Sequence, residues 1–349
     1  MKTKTNILSD VVVIRNILIV LLVFYHAFAI YSGAWAPLKG FSEIKTYWWL
    51  DKLSYAFMLE LFVFISGFVF GYQVRLKGES KLQAKSLFWG KFKRLIIPSI
   101  IFSLLYILLL GNIKQPVQNI LYELLNGVGH MWFLPMLFWC FVWVWIIEKL
   151  HLKPRLVIPL LVLASIGSFL PMPLRMGLAM YYMPFFYAGY IIQKNDISLD
   201  WLYTKHCAII TTIAFIILFP ILTVMKEKIG ATLIGGGDYQ LVIKITNSSI
   251  QKLLQLVYAS AGILMTLVLT NLWLKKHSVK NWMEQVAALS FGVYLFQQFI
   301  LKGLYDHTSL PAMLGSNWLP WAGFVVALFG SLSLSLVFRR TQFGKFLIG

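Results

Sequence analysis

Three ionisable side chains stand inside the most apolar stretches of this chain: Arg15, His26 and Glu60. An imidazole, with an ordinary pKa of about 6.5, can take a proton from a hydroxyl near neutral pH. A guanidinium offers a planar fork of donors to phosphate or carboxylate oxygens. A carboxylate can fix the tautomer and orientation of a neighbouring imidazole. Arg15 and His26 share the segment VVVIRNILIVLLVFYHAFAIY, residues 11–31, and are eleven positions apart. On an α-helix that is three turns plus about 20°, so both lie on one face, about 16 Å apart along the axis. Glu60 lies among aromatic and aliphatic neighbours in FMLELFVFISGFVF. A charge near the middle of a lipid-embedded helix costs roughly 2.5–3.5 kcal/mol on insertion scales, and such groups usually face the bundle interior.

Bland roles exist for all three. Arg15 can snorkel towards an interface. His26 can bond a neighbouring helix, and Glu60 can rest on hydroxyls or backbone. A polar stripe lining a site is the sharper reading, with Glu60 orienting His26.

These residues need helices to carry them. The chain is 349 residues long, 59% hydrophobic and 13% charged, against about 25% charged in soluble domains. The composition is that of a polytopic membrane protein. Apolar stretches fall near 11–31, 53–74, 95–111, 130–147, 156–170, 178–193, 206–225, 252–274, 286–305 and 318–338. With the N-terminus inside, the connections place 20 cations on the cytoplasmic side and 10 outside, leaving Arg15 within a span. That asymmetry follows the positive-inside rule. It predicts an all-α bundle of about ten spans with both termini cytoplasmic, read as one membrane domain over 1–349. The net charge of +18 therefore reports orientation, and nucleic acid is not needed to explain it. Arg15 also makes residues 1–36 a retained first helix rather than a cleaved leader, whose apolar region carries no internal charge.

Other chemistry finds little support. The glycines of IGGGD, residues 234–238, lack the Lys-Ser/Thr of a phosphate-binding loop. Cys140 and Cys207 are too few for a disulfide framework, and no metal-ligand spacing occurs, so no metal is expected. Tyr181, Tyr182, Trp318 and Trp321 read as belt residues at the membrane interface.

Several segments together resemble one family. Arg-x10-His in the first helix, followed by ELFVFISGF in the second, is similar to the acyltransferase-3 family of integral-membrane O-acyltransferases. KFKRLIIP at 91–98, GHMWFLPMLF at 129–138, YYMPFFYAGYII at 181–192 and LSFGVYLFQQF at 289–299 resemble further family segments in order. The chain departs from the family in two places. Gln297 and Gln298 stand where a His often follows the late Tyr-Leu, and the basic motif has one arginine, Arg94, beside Lys91 and Lys93.

The resemblance implies transfer of an acyl group, acetyl first among candidates, from cytoplasmic acyl-coenzyme A to a hydroxyl of a cell-surface or lipid-linked glycan. It also implies a bacterial cytoplasmic membrane, with acyl-coenzyme A as co-substrate and no permanently bound cofactor. The connection 75–94 holds seven cations against Glu79 alone, which suits an anionic donor. Within it, Lys91, Lys93 and Arg94, with Arg15 deeper, are the expected donor-binding groups. His26 would act as general base or be transiently acylated; the sequence leaves both open. His130, Trp132 and Arg175 are candidates for acceptor or lipid contact. A transporter or flippase of a small solute or lipid-linked sugar would also bury Arg, Glu and His, but it predicts inverted repeats, which the chain does not display.

The orientation is directly testable. In a chain freed of its two native cysteines, Lys85→Cys is expected to resist a membrane-impermeant maleimide applied to intact cells. Gly236→Cys is expected to react. The reverse pattern overturns the topology.

Overall fold

The computed structural model describes residues 4–110, 117–169, 172–231 and 240–348. Lys2 and the 234–238 glycines lie outside the described residues. Among these residues the chain is helical, with no strand. Apolar segments in lipid must satisfy their backbone groups internally, and a helix does so within one segment.

The helices run in order α1 (Lys4–Ser32), α2 (Lys45–Tyr55), α3 (Met58–Lys77), α4 (Ala84–Lys91), α5 (Ile97–Leu110), α6 (Val117–Asn126), α7 (Phe133–Lys149) and α8 (Pro154–Ile166). Then follow α9 (Met176–Lys194), α10 (Lys205–Ala231), α11 (Gln240–Leu274), α12 (Asn281–Ala288), α13 (Ser290–His307), α14 (Leu310–Phe338) and α15 (Gln342–Ile348). Among the described residues seven stretches are long and apolar enough to cross a membrane, and the pair α12–α13, bent by 61°, makes an eighth if it is one span. The two remaining apolar segments of the sequence correspond to α8, a shorter apolar helix, and α9. The protein is thus a polytopic helical membrane protein.

The connections are more ordered than the sequence suggests. Residues 75–94 continue α3, pass through a 3-10 turn at Gly78–Leu82, form α4 and enter a π-turn at Phe92–Ile96 that leads into α5. The stretch 226–251 is largely the end of α10 and the start of α11.

The chain divides into two compact units. The first takes in α1, α2, α5, α6 and α12 to α15. At its core Ile19, Val23, Ala27 and Phe28 of α1 meet Val293, Leu301 and Tyr305 of α13 and Leu319 and Ala327 of α14. The four-residue steps on α1 give one continuous apolar stripe, and Val293, Leu301 and Tyr305 lie at multiples of four on one face of α13. Tyr305 crosses that core to donate its hydroxyl to the Ala27 carbonyl at 2.8 Å.

The second unit takes in α3, α4 and α7 to α11. Here α3 and α9 meet backbone to backbone. Gly67 and Gly71, one turn apart, lie against the carbonyls of Phe186 and Tyr190, and Gly189 of α9 lies against the carbonyl of Phe64. A Cβ at any of the three would strike a carbonyl oxygen. Small residues at one-turn spacing allow this approach between helices in lipid. Beside it α10 and α11 form an antiparallel hairpin, and α8 packs on α9 and α11.

Gly67→Ala is therefore expected to destabilise the purified protein by about 1–3 kcal/mol, the cost of overpacking a close contact. Gly90→Ala, where a Cβ meets nothing within 4 Å, should leave the unfolding midpoint unchanged. Equal midpoints for the two variants would show that the α3–α9 contact is not close.

Candidate active site

His26 lies on α1, six residues before the helix ends, and is 7% exposed. Its Nδ1 is 3.0 Å from the carbonyl of Leu22, one turn back. A carbonyl only accepts, so Nδ1 carries the proton and the neutral ring keeps its lone pair on Nε2. Around the ring stand Tyr25, Trp35, stacked at 5.9 Å, and a second histidine, His130, with ring centroids 6.1 Å apart.

His130 arrives on the 3-10 turn Gly129–Trp132 that leads into α7. Gly127 and Gly129 precede His130 with φ of 77° and 57°, in the left-handed region that glycine enters freely. A Cβ on Gly129 would also come within 3.0 Å of the Tyr106 ring and 3.2 Å of Gln298 Oε1. Helix α13 holds the histidine through one face. Tyr294 donates its hydroxyl to the His130 carbonyl at 2.6 Å. Nε2 of His130 is 3.2 Å from the Leu295 carbonyl, and Nδ1 is 2.7 Å from Gln298 Oε1. Nε2 therefore donates to Leu295. A half-turn of the Gln298 amide presents either a donor or an acceptor, so Gln298 complements Nδ1 whether that nitrogen is protonated or not.

The two glutamines of the late motif have different fates. Gln298 binds His130. Gln297 is fully buried with neither amide atom partnered. It lies one turn from Val293 and one turn from Leu301, on the face of α13 that joins the core with α1.

Arg15 is half-buried on the uninterrupted α1, so the three-turn spacing to His26 holds. Next to it, Asn16 donates its amide to the Met283 carbonyl of α12 at 2.9 Å.

Glu60 departs from expectation. It is fully buried near the start of α3. Its Oε1 accepts the Tyr181 hydroxyl at 2.8 Å and the Gln255 amide at 3.0 Å, and Gln255 Oε1 in turn accepts from Lys226 Nζ at 2.8 Å. The carboxylate expected to orient His26 thus has partners in its own unit, and the acceptor that orients His26 is the Leu22 carbonyl. Tyr181 and Tyr182, read as belt residues, are 1% and 3% exposed; they are interior groups because the Glu60 carboxylate recruits Tyr181 into its network. Trp318 is exposed as expected, and Trp321 donates to the Tyr47 hydroxyl at 3.0 Å.

The basic groups are not equivalent. Lys91 Nζ sits 3.6 Å from the centroid of Phe141 and 5.4 Å from that of Phe70, a cation–π arrangement. Arg75 pairs with Asp196. Lys93 is half-buried and Arg94 exposed on the π-turn. Trp132 is half-buried beside Phe133. Arg175 stands in the second unit at φ 62°, just before α9, where Trp139 donates to the neighbouring Leu174 carbonyl at 2.8 Å.

Sequence reasoning undervalued His130 and did not single out Lys226, Lys252 or Gln255. Signals existed: two glycines just before His130, and two lysines and a glutamine at the ends of apolar stretches. A family model described as an acyltransferase domain matches residues 9–340, nearly the whole chain. No curated protein and no solved structure matches the chain.

Proposed function

Since the chain belongs to this acyltransferase domain family and is a membrane acyltransferase, we propose that it carries an acyl group, acetyl in the first instance, from cytoplasmic acyl-coenzyme A to a hydroxyl of a cell-surface or lipid-linked glycan. Its place would be the cytoplasmic membrane of a bacterium, with ten spans and both termini inside.

The observation that carries this reading is His26. Its Nδ1 is committed to Leu22, which leaves Nε2 as the basic nitrogen. As general base, Nε2 removes the acceptor hydroxyl proton while the oxygen attacks the thioester carbonyl carbon. The C–O bond forms, the C–S bond breaks, and the proton passes from His26 to the departing thiolate. As acyl carrier, the same lone pair attacks the thioester carbon and expels the thiolate. The acceptor oxygen then attacks the acyl carbon, the N–C bond breaks to restore the neutral ring, and the hydroxyl proton passes to the thiolate. Both routes depend on the tautomer that Leu22 sets. His130, with a partner able to follow its protonation state, is a second proton-holding group beside His26.

Arg15, on the same face three turns nearer the cytoplasmic end, suits a phosphate or the amide-bearing arm of the donor. Lys93 and Arg94 suit its outer phosphates. Lys91, held over two rings, is the weakest member of the expected donor set. Trp132 and Arg175 are the remaining candidates for acceptor or lipid contact.

His26→Ala is expected to give an inserted, stable protein whose acetyl transfer falls by about 10²-fold or more, the usual scale of general-base loss. Arg15→Lys should also be impaired, because an ammonium keeps the charge and loses the fork. Arg15→Ala should weaken coenzyme A binding more than His26→Ala does. Turnover of His26→Ala near the wild-type rate would end the catalytic reading of α1.

The joint variant Lys93→Gln with Arg94→Gln is expected to raise the KM for donor several-fold. Salt should raise it likewise in the unaltered protein, since exposed ion pairs are screened. An unchanged KM would leave those two charges with topology as their role.

A further inference from the structure

One neighbour of His26 comes from a connection and not from a helix. α1 ends six residues past His26, about 9 Å further along its axis. Gly33, at φ 80°, then turns the chain, and the Trp35 N–H bonds back to the Ala29 carbonyl at 3.1 Å. The indole reaches back along α1 and stacks on the imidazole, with ring centroids 5.9 Å apart and planes inclined by 29°. α13 fixes it there. Lys302 Nζ is 4.4 Å from the indole centroid, and Tyr305 meets the indole edge-on at 6.2 Å. Both are themselves held: Lys302 pairs with Asp306 at 3.4 Å, and Tyr305 bonds the Ala27 carbonyl at 2.8 Å. The rest of the connection is tied down as well. Leu38 and Phe41 pack on the α1–α13–α14 core, and Tyr31 and Ser42 bond Ser316.

The transfer chemistry gives this indole no part, yet it stands where one is needed. A base able to deprotonate a sugar hydroxyl can deprotonate water. Water oxygen would then attack the thioester carbon, the C–S bond would break, and His26 would pass the proton to the thiolate. The acyl group would be lost as a carboxylic acid. An acyl group carried on Nε2 would be lost to water in the same way. Closing a site against water is the general remedy for such side reactions. His26 is 7% exposed, whereas Trp35 is half-buried, so the indole has one part on the imidazole and another at the accessible surface.

We infer that Trp35, held by Lys302 and Tyr305, is the water shield of His26, which reserves the acyl group for the acceptor hydroxyl. The inference deepens the acyl-transfer reading and rests on it, but the cover over His26 can be measured without turnover, so the two fail separately.

The test uses the purified full chain in nanodiscs and two readouts. The first is the rate at which diethyl pyrocarbonate modifies His26, read by mass spectrometry of its peptide. The second is release of free coenzyme A from acetyl-coenzyme A with no acceptor present. Trp35→Ala is expected to raise the first at least three-fold and the second at least five-fold. Adding His26→Ala should abolish the extra release. Trp35→Phe, which restores a flat ring, should return both readouts to within two-fold of the unaltered protein. Trp318→Ala, at an exposed tryptophan, should change neither. If Trp35→Ala does not fold, Trp35→Leu, which keeps apolar bulk without a flat ring, carries the same expectations. Unchanged modification of His26 in the folded variant would overturn the shield. So would faster modification without added release, in a protein that acylates a surface glycan in cells. Faster modification in a protein that neither transfers nor hydrolyses would uphold the cover and sink the transferase reading.

Discussion

His26 donates Nδ1–H to the carbonyl of Leu22, one turn back on its own helix. In water such a bond would compete with solvent at every moment. Inside a bundle, where an unmade hydrogen bond costs more than a made one gains, it sets which nitrogen carries the proton. It also needs nothing beyond α1, since the acceptor comes with the helix that carries the ring. Neighbouring groups then fall into place: His130, delivered by a turn that two glycines open and clamped by α13, stands next to a ring whose chemistry is already decided. The stripe of Ile19, Val23 and Ala27 that seats α1 against α13 keeps the two histidines at their spacing.

The same rule governs Glu60 with a different outcome. Its partners come from helices far along the chain, Tyr181 on α9 and Gln255 on α11. A carboxylate beside a tyrosine, an amide and two lysines has traded hydration for a network, and the network is only partly closed. Gln297 is a further instance, an amide with neither end partnered on an otherwise apolar face. Groups of this kind lower stability where they stand. Their presence in a chain otherwise so well packed belongs with function more than with folding.

What the sequence disclosed, and what it withheld, follows from the range of the interactions. Hydrophobic runs located every long helix, and the eleven-residue interval placed Arg15 and His26 on one face, because these are properties of a single helix. The pairing of Glu60 with Gln255 joins residues 195 positions apart, and that of His130 with Gln298 joins residues 168 apart. No periodicity encodes such contacts. Adjacency in sequence points Glu60 towards His26, and the frequency of tyrosine at membrane interfaces points Tyr181 there; neither rule registers a contact between helices far apart in the chain. The cationic stretch 75–94 was legible as charge and illegible as structure: its lysines follow the 3-10 and π-turns and α4, which fixes Lys91 over aromatic rings and leaves Arg94 outward.

One helix sets a condition on the surrounding lipid. α8 has 13 residues, so it is about 20 Å long, and Leu156, Leu160 and Leu163 on it are well exposed. A bilayer's hydrocarbon layer is about 30 Å thick. In the ten-span arrangement the acyl tails next to α8 must compress or tilt to meet it, at a cost of fractions of a kcal/mol for each ångström of mismatch. If α8 spans the bilayer as that arrangement requires, this flank carries a patch of thinned membrane, and the protein's partition between bilayers of different chain length becomes a property of 13 residues.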